Sequence, residues 1–169
     1  DLKGHTRLQP SMIRHTLGAA LAAGQPIAEA PLTRGLLLLD RTPGVRVAGT
    51  LVPGAAPATS DLALHLADRP LAQISLRTDN YGGAYTGRAR GTVNFSLNDP
   101  FGYGSQFTAN GLDTENGLLQ AGGFNLLSPN LYDGLRVAVY GSRTVYRLGG
   151  IYQPLEQRGR ADQVGVGLS

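Results

Sequence analysis

Ten residues in the middle of this chain, residues 88–97, alternate polar and apolar or small side chains without a break. The turn-forming residues Asn98, Asp99 and Pro100 follow directly. A strict period of two predicts a β-strand with one polar and one apolar face, and about ten residues is the length at which a tilted strand crosses a bilayer. Segments of this kind recur along the C-terminal part of the chain, so we expect several such strands.

Composition excludes several classes of protein. The 169 residues include no cysteine, which excludes disulfides and cysteine-ligated metal sites. The net charge is +3, but the arginines are scattered singly, so we expect no nucleic-acid partner. The longest apolar run, residues 36–39, is too short for a transmembrane helix. Because the chain begins at Asp1 without a basic and apolar leader, we expect a mature chain or an excised fragment.

Residues 1–70 carry the pattern of an α+β domain. Apolar side chains at helical spacing predict two helices, and period-two alternation predicts two strands after them. The predicted helices cover residues 10–21 and 31–40, with Gly24 beyond the first, and the strands cover 45–51 and 61–66. A loop rich in proline, glycine and alanine joins the two strands, and residues 2–4 fit the tail of a further strand.

Residues 71–169 show no helical period and read as a succession of strands. We predict strands at residues 71–79, 87–98, 104–113, 117–127, 135–148 and 162–169. Two kinds of connection alternate between them, because 98–104 and 128–134 hold proline, asparagine, aspartate and aromatics, whereas 80–86 and 149–162 are polar and rich in glycine. Alternating connections favour an up-and-down meander threaded through a membrane.

The alternation assigns the side chains of these strands to two faces. The apolar face would carry Ile74, Leu76, Val93, Phe95, Leu97, Phe107, Ala109, Val137, Val139, Val164, Val166 and Leu168. The polar face would carry Arg77, Arg88, Arg90, Thr92, Asn94, Gln106, Thr108, Asn110, Arg136 and Ser142. Aromatic residues at strand ends or in turns would form an interfacial girdle: Tyr81, Tyr85, Phe101, Tyr103, Tyr132, Tyr146 and Tyr152. A membrane barrel would turn the apolar face to lipid and a soluble β-sandwich would bury it, so the pattern alone leaves both open.

Catalytic chemistry finds little support in the sequence. Ser60, Asp61 and His65 are close along the chain, but nothing in their pattern activates the serine, so we expect no catalytic residue and no enzymatic activity. His5 and His15 are isolated, and no paired-histidine or phosphate-binding motif is present. We therefore expect no metal and no cofactor.

Several phrases in both halves of the sequence resemble one family. In the N-terminal half they are GHTRL at 4–8, PLTRGLLLLDRTPGV at 31–45, LVPG at 51–54 and TSDL at 59–62. In the C-terminal half they are DNYG at 79–82, YTGR at 85–88, LNDPFGYG at 97–104 and YRLGG at 146–150. The first set resembles the POTRA domain, and the second the opening barrel strands, of the two-partner secretion transporters of the haemolysin secretion/activation family.

This resemblance implies an α+β POTRA domain at residues 1–70, which could lack its first strand, followed at 71–169 by antiparallel transmembrane strands. About six of the family's sixteen barrel strands are present, so this segment cannot close a barrel by itself. The POTRA domain would lie in the periplasm and the strands in the bacterial outer membrane. The implied function is capture of an unfolded exoprotein and its secretion through the barrel, with that client and outer-membrane lipid as partners.

Two other interpretations remain open. One is a different POTRA-bearing outer-membrane protein, which assembles or inserts other barrels. The other is a soluble β-rich binding domain, for which we would expect a dense apolar core.

The resemblance also implies two sets of binding residues. An unfolded client would add a strand to the edge of the POTRA sheet, in a groove lined by the second helix, through Val45, Arg46, Val47, Ala48, Leu51 and Arg34. Alternatively, Val45 and Val47 are simply core residues and the edge is covered. In the barrel, lumen-facing residues would form a cationic wall for client segments and ions: Arg77, Arg88, Arg90, Asn94 and Arg136. The arginines of this wall would otherwise pair with lumenal carboxylates.

Overall fold

The computed structural model describes residues 2–3, 6–18, 27–54 and 59–169. Its contacts divide the chain into two units. The first unit comprises Asp1–Leu71 together with Asn98–Gln106 and Ser128–Arg136, and the second comprises Ala72–Leu97, Phe107–Leu127 and Val137–Ser169. The predicted domain boundary at residue 70 stays a prediction, and the structure adds that two turn segments from the C-terminal part belong to the first unit.

The first unit contains two helices and a three-stranded sheet. Its elements are β1 (Leu2–Lys3), α1 (Pro10–Leu17), α2 (Glu29–Asp40), β2 (Val45–Pro53) and β3 (Ser60–Asp68). The strand order is β1-β3-β2, with β1 parallel and β2 antiparallel to the central β3. The predicted helices and hairpin are confirmed, although α2 begins two residues earlier and β2 continues to Pro53. Residues 4, 19–21 and 24 of the predicted elements lie outside the described residues.

Leucines from both helices and the hairpin form the core of the first unit. The buried side chains are Leu8, Ile13, Leu17, Leu32, Leu39, Val45, Leu62, Leu64 and Leu66. The three leucines of β3 alternate along the strand and therefore share the face that packs against the helices. Gly35 allows α2 to approach α1 closely, because a Cβ there would lie 2.8 Å from Leu17 Cδ2. None of the described helices is long and apolar enough to span a membrane.

One of the two turn segments packs beside the junction of α2 and β2. Gln9 donates its N–H to the carbonyl oxygen of Gly102 at 2.8 Å. The buried carboxylate of Asp99 accepts the N–H of Gly104 at 2.7 Å. Gly44, at φ 87°, lies so near that a Cβ there would be 2.7 Å from the Cβ of Asp99. Only glycine fits this position, because both its backbone conformation and its surroundings exclude a side chain.

The second unit is a six-stranded sheet whose strands follow one another in chain order. Its strands are β4 (Ala72–Asp79), β5 (Arg90–Asn98), β6 (Gln106–Thr114), β7 (Leu119–Leu127), β8 (Val137–Arg147) and β9 (Arg158–Leu168). The six predicted strands and the meander are confirmed. Two details of the prediction are wrong, because β9 begins at Arg158 and a short 3-10 helix, Gly150–Leu155, lies in the connection before it. Six residues interrupted by Pro154 are too few to produce a helical period in the sequence.

The strand register gives the sheet one apolar and one polar face. Ile74 lies opposite Phe95 and Val139 opposite Val166, and the rings of Phe95 and Phe107 are 6.3 Å apart. The predicted apolar residues therefore share a face. No described residue of this unit belongs to the buried apolar core. The apolar face is exposed, with Leu76 at 79% and Val164 at 83%.

Tyr146 was predicted to belong to an interfacial girdle, but the structure places its ring on the polar face of the sheet. Tyr146 lies opposite Gly159, and its ring occupies the space where a side chain at Gly159 would stand. It shares the polar face with Ser142, because residues two and four apart on a strand point the same way. An aromatic ring over a cross-strand glycine stabilises the pair.

Candidate functional site

Strand β2 is an edge of the described three-stranded sheet, as the predicted binding edge requires. The predicted residues divide between its two faces. Val45, Val47 and Leu51 point toward the helices, with Val45 buried in the core and Leu51 53% exposed. Arg46 and Ala48 point to the opposite face and are exposed. These residues therefore share a backbone edge but no single side-chain surface.

Asp40, the last residue of α2, covers part of this edge. Its Oδ1 accepts the backbone N–H of Val47 at 3.3 Å, which satisfies one edge donor near the start of β2. Further along the strand, no described side chain bonds to the backbone of Gly49 or Leu51. The open part of the edge is therefore its C-terminal half, where Leu51 and Val52 are both exposed.

Helix α2 packs directly against the middle of this strand. A Cβ at Gly49 would lie 3.0 Å from both methyl carbons of Leu36, so the absence of a side chain there sets the helix-to-strand distance. The outer surface of α2 lines a groove of about 680 Å³, which includes Arg34 and the exposed Leu37. No residue of β2 lines this groove, whereas Leu36 packs against Gly49 and would lie beside an extended segment along β2.

Arg34 is engaged by the second turn segment of the first unit. Its Nε and Nη2 donate to the two carboxylate oxygens of Asp133 at 3.1 and 2.9 Å. Two parallel hydrogen bonds fix the orientation of the guanidinium more firmly than a single contact. Both side chains are mostly exposed, so the pair contributes little stability and is free to exchange.

The predicted cationic wall is partly neutralised by a carboxylate that sequence reasoning missed. Arg77, Arg90 and Asn94 lie on the polar face of β4 and β5. Asp79 lies opposite Arg90 and accepts from its Nε at 2.7 Å, while the Nε of Arg77 is 3.9 Å away. Asn94 donates to the hydroxyl of Ser75. The sequence does contain this pattern, because Asp79 follows Arg77 by two residues and so shares its face of the strand.

The other two arginines of the predicted wall lie in connections between strands. Arg88 precedes β5, and its backbone N–H donates to Glu115 Oε1 at 3.1 Å. Arg136 precedes β8 and belongs to the first unit, where its Nη2 donates to Thr42 Oγ1 at 3.4 Å. Burial lowers the pKa of Arg136 from its usual value. Strands β5 and β8 begin only after these two residues, so neither belongs to the paired part of the sheet.

Comparison with known families identifies the C-terminal two thirds of the chain. The family model described as haemolysin secretion/activation protein ShlB/FhaC/HecB matches residues 58–169. Among curated proteins, the heme/hemopexin transporter protein HuxB of Haemophilus influenzae (strain 86-028NP) is 24% identical over 169 residues. That match covers 99% of this chain and 30% of HuxB.

Solved structures share the fold at low sequence identity. CdiB from Escherichia coli matches with a TM-score of 0.71 and 18% identity, over 94% of this chain and 30% of that one. CdiB from Acinetobacter baumannii gives 0.68 and 18%, over 98% and 32%. BamA from Haemophilus ducreyi, lacking POTRA domains 1-3, gives 0.63 and 13%, over 99% and 30%. The chain thus spans about a third of the length of these proteins.

Proposed function

Because this chain belongs to the haemolysin secretion/activation protein family, we propose that it is part of an outer-membrane β-barrel that secretes an exoprotein by the two-partner route. The exposed apolar face of β4–β9 carries this proposal. A soluble sheet would bury such a face, since apolar patches of this extent rarely remain in contact with water. Against a bilayer, the same face is in its preferred environment, and the polar face turns to the lumen.

The unpaired edges of the sheet support a larger barrel. Among the described strands, β4 and β9 each have one neighbour only. Unpaired backbone groups in hydrocarbon cost several kcal/mol each, so a spanning sheet must close on itself. Further strands of the same protein would pair with these edges, in keeping with relatives about three times as long.

The first unit acts, in this proposal, as a periplasmic POTRA domain that captures the unfolded client. A client segment adds as a strand to the open half of the β2 edge, and main-chain hydrogen bonds supply affinity. Leu51 and Leu36 of α2 supply an apolar contact for one face of that segment. No catalytic step is required, and the protein acts as a transporter and not as an enzyme.

Along the lumen, the polar face of β4 and β5 provides the first part of the secretion path. Arg77 and Arg90 share the single carboxylate of Asp79, so this part of the wall carries a net positive charge. Such a wall attracts acidic segments of an extended client without binding any one sequence tightly.

The likeness to BamA favours a second function, in which the protein assembles other barrels. A transporter releases its client at the cell surface or into the medium, whereas an assembly factor leaves its client in the membrane. Locating the client in cells that produce the complete natural protein separates the two.

The experiment that tests client capture is secretion of the partner exoprotein by cells carrying the complete protein with Leu51→Asp. We expect secreted client to fall about tenfold or more, because a buried leucine contact contributes about 1.5–3 kcal/mol. Val52→Asp is the matched control, since Val52 is also exposed, at 38%, but points to the opposite face. Equal secretion by both variants and the unmodified protein would contradict capture at this edge.

A further inference from the structure

On the apolar face of β8 and β9, the side chains change from apolar to cationic along the strands. Val139 opposite Val166 and Gly141 opposite Val164 lie on this face. Successive residues alternate between faces, so every second pair farther along belongs to it as well. This continuation carries four arginines, which we call the outer arginine cluster, and one carboxylate: Arg143, Arg147, Arg158, Arg160 and Asp162.

Asp162, the single carboxylate of this cluster, offsets only one of its four positive charges. Asp162 accepts from the Nε of Arg143 at 2.6 Å and also from the Nε of Arg160. Arg147 and Arg158 lie directly opposite each other, and neither forms an ion pair with any described residue. Glu156, the acidic residue nearest to Arg158 in sequence, pairs with neither. Like charges placed opposite each other on a sheet destabilise the pairing unless an anion lies between them.

The depth of the unpaired arginines matches a membrane boundary. Arg147 is ten residues beyond Val137, where the apolar face of β8 begins. At about 3.3 Å per residue this is about 33 Å along the strand. A strand tilted by about 40° rises about 25 Å over that length, which is the height of the apolar band of outer-membrane barrels. Arg143 and Arg160, which lie deeper, are the two that share Asp162.

The strand count decides which leaflet this boundary belongs to. Strand β4 begins directly after Leu71, so its first residue lies on the periplasmic side if the first unit is periplasmic. Five strands from β4 to β8 then bring the chain to the opposite side, and the β8–β9 connection lies at the cell surface. The outer leaflet there is built of phosphorylated glycolipid.

We propose that Arg147 and Arg158 bind a phosphate group of an outer-leaflet glycolipid; this inference rests on the proposed function. Two guanidinium groups present several N–H donors to one phosphate and replace their mutual repulsion with charged hydrogen bonds. The exposed Val164, Val166 and Leu168 lie on the same face, where the acyl chains of the same lipid would run. A free phosphate ion would use the arginines but gain nothing from these side chains.

The test uses the complete natural protein, purified in mild detergent, and bisphosphorylated lipid A as the probe. We expect the Kd to rise about tenfold on Arg147→Gln or Arg158→Gln, because each substitution removes a charged hydrogen bond. Arg147→Lys keeps the charge but not the planar fork and should lose less. Arg14→Gln is the control, because Arg14 is an exposed arginine of α1 outside the cluster and should leave the Kd unchanged.

Two further probes separate the sources of the phosphate. We expect lipid A stripped of its phosphates, and inorganic phosphate alone, to bind the unmodified protein much more weakly. Equal affinity for lipid A with and without phosphates, or for inorganic phosphate alone, would overturn the inference without any variant.

The same preparations distinguish this inference from the proposed function. A protein that migrates as a folded, heat-modifiable barrel and secretes its client, yet binds lipid A equally in all variants, contradicts the lipid site alone. A protein that forms no barrel in lipid contradicts the proposed function and this inference with it.

Discussion

At the scale of single residues, Asp99 shows how nearby backbone provides hydrogen bonds to a buried polar group. It adopts a left-handed conformation, φ 51°, and its carboxylate accepts the N–H of Gly104 across the turn. Aspartate tolerates this conformation because its short side chain bonds to nearby backbone. In sequence the residue looked like ordinary turn punctuation, because nothing in a local pattern reveals that Gly44 is its packing neighbour.

We predict that Asp99→Ala destabilises the complete protein by about 1–3 kcal/mol, because the N–H of Gly104 loses its acceptor in a buried place. The measurement is the thermal transition of the purified protein in detergent. Asp99→Asn is the matched control, since its amide oxygen preserves the acceptor and asparagine also tolerates positive φ. A transition temperature equally lowered in both variants would point to lost charge and not to the lost hydrogen bond.

At the scale of elements, period-two alternation predicted the strands well and their ends poorly. The start of β9, at Arg158 and not at residue 162, is an example. Residues 158–162 alternate arginine, small residue, arginine, small residue and aspartate, and so follow the strand pattern. From the sequence we predict a connection there, because residues 149–162 are polar and rich in glycine. With that boundary the outer arginine cluster could not be recognised, because it depends on Arg158 lying opposite Arg147.

The contact between α2 and β2 leads to a prediction about access to the edge. Asp40→Ala frees the N–H of Val47 and lengthens the open edge by one donor. We expect the client segment to bind the complete protein about two- to tenfold more tightly, as one added hydrogen bond contributes about 0.5–1.5 kcal/mol. Titration calorimetry measures the affinity.

Asp40→Asn serves as the control for this variant, because its amide oxygen can still accept the N–H of Val47. Its ion pair with Arg69 is long, at 3.9 Å, and exposed, so losing the charge alone should change little. Weaker client binding by Asp40→Ala would mean that Asp40 supports the site and does not cover it.

At the scale of the whole molecule, the two units differ in whether their apolar side chains are buried or exposed. Every described hydrophobic side chain that is fully buried lies in the first unit, which therefore has a core of its own. The second unit is a single sheet whose apolar face is uncovered by any part of the chain that the structure describes. The sequence predicted the two faces but not their surroundings, because lipid and a second sheet favour the same apolar residues. The family match and the uncovered face are the two observations on which we propose lipid.

The central claim is that the apolar face of this sheet contacts lipid while its polar face contacts water, and adjacent residues of β5 test it most directly. Val93 and Asn94 point to opposite faces, and the chain has no cysteine of its own, so each position can be labelled singly after Val93→Cys or Asn94→Cys. The measurement is made on the complete protein in lipid vesicles. We predict that a fluorophore at position 93 is quenched by a lipid-chain quencher and shielded from an aqueous one, with the reverse at position 94. Equal aqueous quenching at both positions would contradict the account.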